Sequence, residues 1–113
     1  GIPVKIELTA DKKIIKSGGN DLSFITARIV DKDGNTVPDA GNLIKFSITG
    51  NATIAATDNG YQADTVSFGS TQRTAWKGMA LSIVKPGSKK GNSTLTAQVD
   101  GLAAGTIALK IAD

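Results

Sequence analysis

Residues 58–81 gather the side chains of this chain best suited to making specific contacts. They hold its only Trp (Trp76), its only Tyr (Tyr61) and Arg73, one of just two arginines. An aromatic face with a polar edge can stack on a sugar ring or fill a core, and a guanidinium can fork onto a carboxylate. Asp58 and Asp64 lie in the same stretch, and Asn59-Gly60 supplies turn chemistry just ahead of Tyr61. Asn59, Tyr61, Arg73 and Trp76 are therefore the candidate contact or carbohydrate-facing residues. The leading expectations differ within this set. Trp76 is expected to pack in the core or plug one end of it, Arg73 to pair with Asp58 or Asp64, and Tyr61 to stand exposed.

Catalytic chemistry finds much less to work with. The chain has no His and no Cys, which removes the commonest general base, the commonest metal ligand and any disulfide. Hydrolysis between two carboxylates needs them ~5 to 9 Å apart across the bond. The only Glu is Glu7, in a strand-like pattern where a solvated outward carboxylate is expected, and most Asp residues occupy turn positions. No His stands beside a Ser or Thr to activate it. Asp31, Asp33 and Asn35 begin like a calcium loop, but Thr36 and Asn42 stand where that loop needs Gly and Glu. A hairpin turn is expected there instead. The reading is of no catalytic residue, no cofactor and no metal. The net charge is +3, with lysines dispersed and only Lys12-Lys13 and Lys89-Lys90 adjacent, which speaks against a nucleic-acid face.

The elements that must position these residues are strands. Val4, Ile6 and Leu8 alternate with polar neighbours; Ile25, Ala27 and Ile29 do the same, as do Ile44, Phe46 and Ile48. Met79, Leu81 and Ile83 face one way and Ala80, Ser82 and Val84 the other, while Leu95, Ala97, Val99 and then Ile107, Leu109, Ile111 form further inward sets. Lys13-Ile14-Ile15-Lys16 is a short piece, Pro38 ends pairing after Val37, and Asp33-Gly34-Asn35 and Asp100-Gly101 are tight-turn signals, the latter for a two-residue hairpin. No window carries a helical stripe, and no apolar run approaches the ~20 residues of a membrane span. About seven short strands in 113 residues predict a single all-β domain, an immunoglobulin-like antiparallel β-sandwich covering 1–113. The start at Gly1, without Met, suggests a piece excised from a larger multidomain protein.

Several segments, in order, resemble the C-terminal immunoglobulin-like domain of bacterial family 2 glycoside hydrolases, the β-galactosidase-like enzymes. They are 8–11, 20–26, 30–40 and 44–50, then Asp58-Asn59-Gly60, Arg73 and 77–84, and finally 95–97 and 101–102. The first half is also similar to bacterial Ig-like repeats of the adhesin type; the succession from Asp58 to Ala80 tilts the choice. The resemblance implies a larger retaining β-glycosidase, periplasmic or secreted, whose two catalytic Glu residues sit on a TIM barrel that is not in this chain. It implies a non-catalytic accessory role for these residues, in contact with neighbouring domains. A carbohydrate-binding module using Tyr61 and Trp76 is the alternative, as is an adhesin repeat.

Overall fold

In the computed structural model, residues 1–18, 20–59 and 71–113 are described. They form nine strands and no helix: β1 (Lys5–Ala10), β2 (Ile14–Lys16), β3 (Ser23–Val30), β4 (Leu43–Gly50), β5 (Ala52–Asp58), β6 (Gln72–Thr74), β7 (Met79–Pro86), β8 (Gly91–Gln98) and β9 (Gly105–Ala112). A first sheet has the order β1-β3-β7-β5 and a second the order β2-β9-β8-β4-β6. The immunoglobulin-like sandwich is thus present, with two more strands than the alternation suggests.

Period two decides which side chains meet between the sheets. Along β3, Ser23, Ile25, Ala27 and Ile29 are buried while Phe24, Thr26 and Arg28 point outward. Ile44 and Phe46 of β4, Leu95 and Ala97 of β8, and Ile107, Leu109 and Ile111 of β9 close the core from the second sheet. Each such aliphatic side chain contributes about 1.5–3 kcal/mol on burial, so the sandwich stands on branched aliphatics with Phe46 as the one aromatic in this cluster.

Two connections depart from expectation. β2 pairs with β9 in parallel, Ile14 opposite Lys110 and Ile15 opposite Ile111. The chain therefore crosses from the first sheet to the second and back within its opening strands. Carboxylates hold that crossing in place: Asp11 Oδ1 accepts the Phe24 N–H at 2.8 Å, and Asp21 accepts the Lys16 N–H at 3.0 Å and the Lys12 ammonium at 2.7 Å. Asp100-Gly101 does not form a two-residue hairpin. The β8–β9 ladder ends at Ala97 opposite Gly105, and the turn closed by the Leu102 N–H on Val99 O (3.1 Å) lies beyond it. Asp31-Asp33-Asn35 is the expected turn, with Asp31 Oδ1 accepting the N–H groups of Asp33 and Asn35 at 2.9 and 3.0 Å.

Candidate functional site

Three of the four sequence candidates, Asn59, Arg73 and Trp76, are among the described residues; Tyr61, with Asp64, is not. Arg73 is inward, at 1% exposure. Its strand β6 pairs with β4 at the edge of the second sheet, Arg73 opposite Ile44, whereas Thr57 sits on β5 at the edge of the first, opposite Ser82. The Arg73 guanidinium reaches across this gap, donating from Nη2 to Thr57 O at 2.9 Å and from Nη2 and Nε to Thr57 Oγ1 at 3.2 Å. These hydrogen bonds hold Arg73 to Thr57 in the interior, and Asp64, one of its two expected partners, lies outside the described residues. Hydrogen bonds from a charged donor contribute about 1.5–3 kcal/mol each, and these join two sheets in a chain without cysteine.

Asn59 reinforces the same edge. Its Nδ2 donates to Thr74 O at 2.8 Å and its N–H to Asp58 Oδ1 at 2.8 Å, tying the end of β5 to the end of β6. Ser82, level with Thr57, is fully buried, and its Oγ has no hydrogen-bond partner among the described residues.

Trp76 is not a plug. It is 39% exposed and stands at the start of the turn Trp76-Lys77-Gly78-Met79, whose ends exchange both hydrogen bonds: Trp76 N–H to Met79 O at 3.0 Å and Met79 N–H to Trp76 O at 3.1 Å. Directly opposed residues share a face. Met79 belongs to the outward set of β7, so Trp76 lies on the outer side of the first sheet. Both central residues have positive φ, Lys77 at 54° and Gly78 at 78°, as a primed two-residue turn demands. For Lys77 that conformation costs about 1–2 kcal/mol, part of which is offset by its ammonium lying 4.7 Å from the centre of the Trp76 ring. Gly78 is wedged against the body: its N–H donates to Ala40 O at 3.2 Å, its carbonyl accepts the Ile29 N–H at 2.8 Å, and a Cβ there would come 2.3 Å from Val37 O. The indole is therefore carried outward on a fixed support.

The outer face of the first sheet continues from this turn. Register places Met79 beside Arg28, Leu81 beside Thr26 and Ile83 beside Phe24. Phe24 and Met79 are each 40% exposed, and Leu81 and Ile83 are half-buried. Glu7 is outward as expected, but it is ion-paired, to Arg28 at 3.0 Å and Lys5 at 3.4 Å. The sequence signal for this face was β7 itself, apolar at both parities, which marks a strand covered on both sides.

Two buried hydroxyls serve the backbone. Ser23 Oγ donates to Lys12 O and Ser93 Oγ to Thr49 O, both at 2.6 Å. No group of three or more His, Cys, Asp or Glu residues able to hold a metal occurs among the described residues.

Comparison with known proteins gives the chain a family. Residues 6–108 match the family described as glycoside hydrolase family 2 C-terminal domain 5. Over 102 residues the chain is 39% identical to a β-galactosidase of Bacteroides ovatus, BoGH2A, covering 90% of this chain but 12% of that protein. A solved glycosyl hydrolase family 2 member from Bacteroides cellulosilyticus superposes with a TM-score of 0.97 at 36% identity, covering 100% of this chain and 15% of its own. The D00-D0 domain of intimin is similar in fold alone, with a TM-score of 0.65 at 20% identity over 94% of this chain and 46% of that one.

Proposed function

This chain belongs to the glycoside hydrolase family 2 C-terminal domain 5 family, and from that premise we propose that it is a non-catalytic accessory domain of a larger β-galactosidase-like enzyme. The parent hydrolyses β-galactosides or related β-glycosides, and this domain holds its neighbours in place. The observation that carries the reading is the 39% identity to a stretch making up only 12% of a β-galactosidase. The carboxylates on view support it, since Glu7 is ion-paired and Asp11, Asp21 and Asp31 accept backbone N–H groups. Hydrolysis by paired carboxylates requires groups that face an open site. The test is removal of the domain from the full-length parent, followed by thermal unfolding and by kcat/KM on an aryl β-galactoside. A lower Tm and a several-fold fall in kcat/KM are expected; a parent unchanged in both would sink the reading.

A second reading rests on Trp76, whose exposed ring on a fixed turn is the form of a sugar-stacking platform. Lys77 lies over that ring. Trp76 is the sole Trp, and its emission in this domain reports directly. A shift on titration with millimolar galactosides supports the platform, and an unchanged spectrum removes it.

A further inference from the structure

We infer that the outer face of the first sheet is the surface on which this domain docks the polypeptide preceding it in the full-length enzyme. The inference rests on the accessory reading and adds a specific face and a specific occupant.

Three observations carry it. First, an apolar stripe crosses this face beside the Glu7, Arg28 and Lys5 ion pairs. Trp76, Met79, Leu81, Ile83 and Phe24 run along it as one stripe, the register setting Ile83 against Phe24 and the turn setting Trp76 against Met79. Second, the chain enters at the end of this sheet where Trp76 and Met79 stand. Gly1 lies against Asp31, immediately after β3, and borders the loop of Val37 and Ala40, the same loop that wedges Gly78. Ile2, at 80% exposure, and Val4, at 40%, present further apolar surface there, around a cleft of about 380 Å³ that also touches Asp31. In the relatives this module is 12% and 15% of the chain and is by family description a C-terminal domain. The bulk of such a polypeptide arrives at residue 1, beside the stripe.

Third, area favours a tethered occupant over a second copy. Four strands about 4.8 Å apart, with β7 rising about 3.3 Å per residue, present a face of roughly 500 Å². A stable complex between free proteins needs about 800 Å² from each partner. A covalently linked neighbour meets no such threshold, because its effective concentration reaches the millimolar range.

The experiment is oxidative footprinting of the full-length parent, read by mass spectrometry at Met79 and Trp76 and compared with Leu43, which is 44% exposed on the second sheet. It is paired with Met79→Lys/Leu81→Lys and with Leu43→Lys in the same full-length protein. Labelling of Met79 and Trp76 suppressed at least fivefold in the intact parent relative to the parent unfolded in urea, with Leu43 still labelled, is the expected result. The double variant should lower the parent's Tm by most of what removing the domain does, and Leu43→Lys should not. If removal matters but Met79 and Trp76 label freely, the docking face is overturned and the accessory reading stands. If removal changes nothing, the accessory reading falls and this inference with it. Protection that disappears on dilution, together with a dimeric mass, would assign the face to a second copy and overturn the occupant named here. The footprint of the unsubstituted protein decides the question even if the lysine variants do not fold.

Discussion

The two outer faces of this sandwich are built from strands of similar length, yet they are dressed differently. On the second sheet the outward residues are Lys16, Lys45, Lys110, Ser47, Thr49, Gln98, Thr106 and their like, with Ile14 and Leu43 as isolated apolar side chains. On the first sheet β7 places Met79, Leu81 and Ile83 outward in succession and β3 adds Phe24. Scattered apolar residues on a surface require no explanation, whereas a contiguous stripe marks an interaction site. One outer face is dressed in polar side chains, and the other carries an apolar stripe.

That contrast presupposes that the sheets keep one arrangement, and the strongest way to break it is at their shared edge. Arg73→Ala removes the link to Thr57 and leaves a cavity. The expected loss is about 3 kcal/mol, read as a lowered urea midpoint; a loss below about 1 kcal/mol would mean that the core alone aligns the sheets.

A pair of glycines sharpens the comparison further. Gly78 and Gly101 have nearly the same positive φ, 78° and 82°, but a Cβ at Gly78 would come 2.3 Å from Val37 O whereas nothing lies within 4 Å of one at Gly101. Alanine at Gly101 meets only the backbone penalty, about 1–2 kcal/mol. At Gly78 it must also displace Val37, so the loss should be about 3 kcal/mol and the emission of Trp76 should shift with it. Equal losses at the two positions would show that the turn beneath Trp76 is not wedged.

The smallest expected effect lies at the crossing between sheets. The hydrogen bond from Lys12 holds the Asp21 carboxyl below its ordinary value of 3.8, and the Lys16 N–H adds to this. A lowered folded-state value stabilises the fold above pH 3.8 and is lost as pH falls through that lower value. Lys12 is correspondingly raised from 10.5 by Asp21, so its share is present below pH 10.5 and fades above it. Asp21→Asn should therefore be slightly less stable than the parent chain at pH 7, with the gap closing under acid. Both groups are exposed to solvent, so the difference should also shrink in high salt.

Most of the strands could be read from alternation, because a half-buried strand writes its burial into every second residue. β5 could not. Its Ala and Thr residues contrast weakly, and the register shifts between Ile54 and Ala56, which reverses the parity midway. β6 escaped for a different reason: in three residues its single inward side chain is Arg73, which no pattern of apolar-in, polar-out can place. A lone Trp in a chain with few aromatics reads as interior, but the direction of Trp76 depends on positive φ at Lys77, a conformation that Lys does not advertise. Alternation likewise names the faces of a strand and not its neighbours, so the parallel union of β2 with β9 had no signature.

That union has a mechanical consequence. Lys5 is bridged to Ala103 in the same sense as β2 to β9, so the opening residues run alongside the closing ones, both pointing the same way, at two places. A force drawing residue 1 away from residue 113 cannot peel these contacts open one after another. It must slide the strands lengthwise and break the bonds of each patch together. The fold thus resists tension along its own chain where an antiparallel closure would unzip.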